Sequence, residues 1–160
     1  MNNWAEEINS RIAVSLEKSR DKDLRFFRID EFKRNITRVG EFSATCSFCS
    51  KHKIDIAESV ETIHEAVEVP GNSRREFDRL ISRLSKHMQK EHGFYAPYYF
   101  SYWYSFIGIS AGLLAGFGLY QIFPMNGEAV FSGCFIIGII TSYIAGSRKD
   151  NKIRKAKKIM

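Results

Sequence analysis

Hydrophobic and polar positions divide this chain into two regimes. As far as His92 the apolar residues recur at helical spacing with charges between them; beyond it the pattern becomes almost uniformly apolar. The first regime predicts four helices. Trp4, Ile8, Ile12 and Leu16 form one stripe over about 4–18, with Asn2 or Asn3 as its cap. Ile29, Phe32, Ile36 and Val39, broadened by Phe26 and Phe27, mark a second over about 22–40 that Gly40 would end. Val60, Ile63, His64 and Val67 mark a third over about 54–68. Phe77, Leu80, Ile81, Leu84 and Met88 mark a fourth over about 73–91, opened by a Ser73–Glu76 capping box after the turn Pro70-Gly71-Asn72. Cys46-Ser47-Phe48-Cys49 falls in a short stretch expected to be irregular.

The second regime predicts a membrane hairpin. No charged residue lies between His92 and Glu128, and none from Ala129 to Ser147. As helices, 98–123 and 129–147 would extend about 39 Å and 28 Å at roughly 1.5 Å per residue, against a hydrocarbon core of about 30 Å. Pro124-Met125-Asn126-Gly127 supplies the expected turn. A domain this small could not bury two such helices all round, so lipid is the expected surround. The fold class is therefore all-α: a helical domain over 1–95, a transmembrane hairpin over 96–147 and a basic tail over 148–160.

Charge sets an expected orientation. The net charge is +6, yet residues 1–92 hold 17 Lys/Arg against 16 Asp/Glu, while 148–160 hold seven against one. Basic residues flank the outer ends of both spans and none flanks the turn, so both termini are expected in the cytoplasm of an inner or plasma membrane. Tyr95, Tyr98, Tyr99, Tyr102, Trp103 and Tyr104 would lie at the cytoplasmic interface. The basic tail then meets anionic lipids rather than nucleic acid, the less favoured reading of these charges. The first residues lack the basic and apolar regions of a signal peptide.

Gly108, Gly112 and Gly116 fall four apart on one face of the first span, with Cys134, Gly138, Ser142 and Gly146 on a face of the second. Small residues let helix backbones approach closely in lipid. Two uses are open: packing the hairpin on itself, or homo-oligomerisation through the glycine row, the favoured one. In the first regime, Glu58, Glu61, Glu65 and Glu68 form an acidic stripe and Arg75, Arg79, Arg83, Lys86 and Lys90 a basic one. They can face solvent, each other or a cytosolic protein partner.

One constellation carries chemistry. Cys46-x2-Cys49 and His87-x4-His92 match the halves of a Cys2His2 zinc site. His92 precedes Gly93, where the helix can unwind and relieve the awkward five-residue spacing. The 37 intervening residues exceed finger spacing, so the expectation is a structural zinc clamp for a marginal core. His64 or His52 could replace one histidine. No phosphate loop, nucleophile elbow or HExxH occurs, and four protein ligands leave no open position for a reactive water, so no catalytic residue and no enzyme are expected.

In layout, the helical module, two-helix hairpin and basic tail resemble small membrane effector or accessory proteins of prokaryotic antiviral loci, including those beside type VI CRISPR systems. The resemblance covers architecture and no diagnostic motif, and it implies a protein that assembles in the membrane and perturbs it. A pore or effector controlled by the cytosolic domain is thus the first expectation, and a membrane-tethered adaptor the alternative. Arg83-x3-His87 resembles the Arg/His pair of HEPN-type ribonucleases, with spacing one short of the usual minimum, and a membrane-bound ribonuclease is the lesser alternative.

Overall fold

The computed structural model describes residues 3–122 and 127–159, which form helices and their connections with no strand among them. The chain divides into two units, one ending at Phe94 and the other spanning Tyr95–Ile159.

The first unit holds α1 (Asn3–Ser15), α2 (Asp21–Phe26), α3 (Ile29–Phe42), α4 (Ser47–Glu61), α5 (Ile63–Glu68) and α6 (Asn72–Glu91). The stripes read from the sequence meet in one core, with Ile12, Phe32, Ile36, Val39, Ile63, Ile81, Leu84 and Met88 fully buried. Phe32 and Phe77 pack edge to face at 5.0 Å, each contributing about 2–3 kcal/mol by leaving water.

Helix boundaries differ from expectation in physical detail. The helix predicted over 22–40 is two, because Arg28 takes a left-handed conformation (φ 57°) and is tied there by hydrogen bonds to Glu31. Gly40 does not end it: it is buried inside the helix, which runs on to Phe42. The helix predicted over 54–68 starts earlier, at Ser47, and breaks at Thr62, whose hydroxyl turns back on the Ser59 carbonyl at 3.4 Å. The capping box does not form. Gly71 stands at the N-cap of α6, Ser73 lies inside the helix, and Arg74 instead donates to the Ala66 and Val67 carbonyls at the end of α5.

A polar chain crosses the core between α3 and α6. Asn35 donates to Ser85 at 2.9 Å, and the Ser85 hydroxyl donates to Glu31 at 2.6 Å. Burial pushes the Glu31 carboxyl up, but hydrogen bonds from Arg28 and Ser85 and the nearby guanidinium charges outweigh it and hold the group below its ordinary value.

The second unit is an antiparallel pair, α7 (Tyr99–Ile122) and α8 (Gly127–Lys155), both long and apolar enough to cross a membrane. At about 1.5 Å per residue they extend about 36 Å and 43 Å. Apart from Gly127, the expected turn lies outside the described residues. The tail expected to begin at 148 is no separate segment: α8 continues through it to Lys155. The chain then reverses at Lys157 (φ 55°), and the Tyr95 N–H donates to the Lys158 carbonyl at 3.0 Å.

The glycine row is the seam of this pair. A Cβ at Gly108 would sit 2.5 Å from the Gly138 carbonyl, and one at Gly112 3.1 Å from the Cys134 carbonyl. At Gly116 it would meet Phe131, and at Gly146 the Phe100 carbonyl at 2.7 Å. Gly108, Gly112 and Gly116 are therefore spent on α8 of the same chain, and the face expected to join copies is covered. Asp150 adds a polar lock, its carboxylate accepting from the N–H groups of Phe100 and Ser101 and from the Ser101 hydroxyl.

Candidate metal centre

Four ligand-type side chains converge within the first unit. Cys46 is the N-cap of α4 and Cys49 lies in its first turn, so the pair predicted to be irregular instead rides the start of a helix. That spacing of three puts both sulfurs on one side of the turn. His87 belongs to the last turns of α6, and His92 is its C-cap (φ −114°, ψ −4°). Gly93 takes a left-handed conformation (φ 68°), and the Phe94 N–H folds back to the Met88 carbonyl that already accepts from His92. This unwinding lets residues five apart face one point.

The four donor atoms lie within 4.8 Å of one another, an arrangement that can hold a metal ion. Cys46 Sγ is 3.3 Å from His87 Nε2, and Cys49 Sγ is 3.7 Å from His92 Nε2. Cys49 is buried and the other three are half-buried. Burial, then the hydrogen bond and charge of Cys46, push the Cys49 thiol up to about 12. Burial, then the neighbouring His92, push His87 below the ordinary imidazole value, which leaves it neutral and able to donate a lone pair. Cation binding must displace the Cys49 proton, because a metal takes the thiolate.

Both imidazoles rest on phenylalanines. Phe42 stacks on His92 at 4.0 Å and 18°, and Phe48 stacks on His87 at 3.9 Å and 15°. On its opposite side Phe48 carries the His52 ring at 3.8 Å. The sequence reading missed both phenylalanines; their positions four before and two after Cys46 were the only available signal.

The alternative histidines go elsewhere. His52 is buried, but its Nδ1 faces the Phe48 carbonyl at 2.9 Å and its ring belongs to the stack rather than the cluster. His64 is exposed and pairs with Glu68 at 3.2 Å. Arg83, four residues before His87, lines an open cleft of about 380 Å³ with Asp55, Glu58, Glu76 and Arg79. No ion pair joins the acidic and basic stripes among the described residues; Glu61 pairs with Arg11 of α1. No family model, no curated protein and no solved structure matches the chain.

Proposed function

We propose that the chain is a non-enzymatic integral membrane protein, in which a zinc-clamped helical module is tethered by a two-helix hairpin and offers its charged cleft to a protein partner. The donor set supports zinc. Two thiolates and two imidazoles suit a tetrahedral zinc ion, and Zn–S near 2.3 Å with Zn–N near 2.0 Å gives an S···N edge of about 3.5 Å. The observed 3.3 and 3.7 Å bracket that edge. This closed four-ligand cluster is the observation that carries the reading. It leaves no vacant position for substrate, and it joins α4 to the end of α6. The clamp contributes folding energy to a module with one small core. Basic residues flanking the outer ends of both apolar stretches favour termini in the cytoplasm.

A second reading keeps the pore. With the glycine row inside the hairpin, assembly would use Ala111, Ala115 and Gly118, which form an exposed row on the outside of α7. A Cβ at Gly118 would meet nothing within 4 Å, leaving room for another helix.

Metal analysis and mass measurement on detergent-solubilised protein test both readings. About one zinc per chain in a monomer that leaves liposomes impermeable supports the tether. Ring-shaped oligomers that release liposome contents support the pore. Protein prepared without chelator and carrying well under half a zinc per chain overturns the clamp.

A further inference from the structure

The basic end of α8 is sorted by face. Arg148, Lys152 and Lys155 are all exposed, and their spacings of four and three put them on one side of the helix. The same row, read backwards through Ile144, Thr141 and Ile137, is the outward face of the apolar part, where Ile137 is 63% exposed. Gly146, Asp150 and Ile153 occupy the opposite side, towards α7. Two other cations are engaged with rings: Lys149 lies 4.0 Å over Phe100, and Arg154 lies 5.7 Å over Tyr98. No ion pair or ring contact engages Arg148, Lys152 or Lys155 among the described residues.

A second observation sets the level of this row. Asp150 holds the Phe100 and Ser101 amides, so the start of α7 lies beside residue 150. At that level Tyr98, Tyr102 and Trp103 are 55%, 74% and 55% exposed. Exposed amphipathic rings beside an apolar helix pair mark headgroup depth in a bilayer. The basic row starts where the outward apolar row ends, beside that belt.

We infer that Arg148, Lys152 and Lys155 form a binding row for the phosphates of anionic phospholipids, a reading that rests on insertion of the hairpin into a bilayer. The chemistry is charge complementarity between three exposed cations on one helix face and headgroup phosphates. Lys149 and Arg154, turned onto rings, contribute less.

The test uses the full chain in phosphatidylcholine nanodiscs containing some phosphatidylglycerol, with retained lipid counted by native mass spectrometry. R148Q/K152Q removes two charges from the row, and K149Q/R154Q removes two from the ring-engaged set. The first is expected to lower the phosphatidylglycerol preference on the order of tenfold, the second by no more than about threefold. Equal losses would mean that net charge alone acts and would overturn the row. So would an unaltered protein, resistant to alkaline carbonate extraction, that shows no preference for the anionic lipid. Tighter binding of polyuridylate than of the anionic discs by the same residues would assign the row to nucleic acid instead. Release of the chain by carbonate would overturn the membrane reading first, and this one with it.

Discussion

Asp150 and Ser101, 49 residues apart in sequence, share two hydrogen bonds at the start of α7: Ser101 donates its N–H at 2.8 Å and its hydroxyl at 2.6 Å. The carboxylate also takes the Phe100 N–H at 3.0 Å. A residue of α8 thus performs the capping that a local side chain performs in most helices. Asp150→Ala is expected to cost the hairpin about 2 kcal/mol, since it leaves buried donors unpaired. Amide exchange in detergent micelles reads this directly: Phe100 and Ser101 should lose protection while mid-helix residues of α7 keep theirs. Unchanged protection at those two amides would remove Asp150 from the cap.

Chelation tests the clamp as a source of stability. A strong zinc chelator should lower the midpoint of thermal unfolding of the unaltered protein, followed by circular dichroism. Cys49→Ser should start at the lower midpoint and ignore the chelator, because serine leaves no thiolate at the buried position. A chelator effect that survives the substitution would place the metal elsewhere.

The stacked phenylalanines are expected to hold the ligand rings in register. Phe48→Leu and Phe42→Leu keep apolar bulk but remove the flat face against His87 and His92. Each should weaken zinc about tenfold to a hundredfold, the usual scale for residues that orient metal ligands. Competition with a chelating dye measures it, and Phe48→Tyr should restore affinity. Unaltered affinity in the leucine variants would reduce the stacks to core packing.

The helical stripes were readable because a buried helix face forces apolar residues into a 3.6-residue period, as Ile29, Phe32, Ile36 and Val39 do. The break at Arg28 was not, because it depends on a left-handed residue that no periodicity marks. Cysteine and histidine are scarce enough that Cys46, Cys49, His87 and His92 stood out. Choosing among four histidines still required knowing that His52 turns to Phe48 and His64 to Glu68. Glycines spaced by four announce that a backbone comes close without saying whose, and here it is that of α8. Asp150 left a trace too, as the lone acid among seven basic residues of the tail.

Glu31 gives the first unit a defined acid sensitivity. Its carboxyl is held below the ordinary value, with burial outweighed by Arg28 and Ser85. A depressed folded-state value contributes stability above the unfolded value, about 4.3, which is lost as pH falls through the lower folded one. Denaturant unfolding of the unaltered protein should therefore weaken below about pH 4.3. Glu31→Gln should be about 1 kcal/mol less stable at neutral pH and flatter across the acid range. Parallel acid curves for the two proteins would show that other carboxylates set the loss.

Substitutions along the hairpin separate the seam from the open faces. A Cβ at Gly146 would press on the Phe100 carbonyl and Ser101 Cα, both at 2.7 Å, and backbone cannot swing aside as a side chain can. Gly146→Ala should cost about 1–3 kcal/mol through forced separation of α7 and α8. At Gly118 the same methyl meets nothing within 4 Å, so Gly118→Ala should be neutral in a monomer, or slightly stabilising through its better helix propensity. Unfolding by sodium dodecyl sulfate titration in mixed micelles compares the two on one scale. A loss at Gly118 confined to high protein concentration would reveal a neighbouring copy on that face. Unchanged stability of Gly146→Ala in dilute protein would mean that α8 does not approach α7 at Gly146.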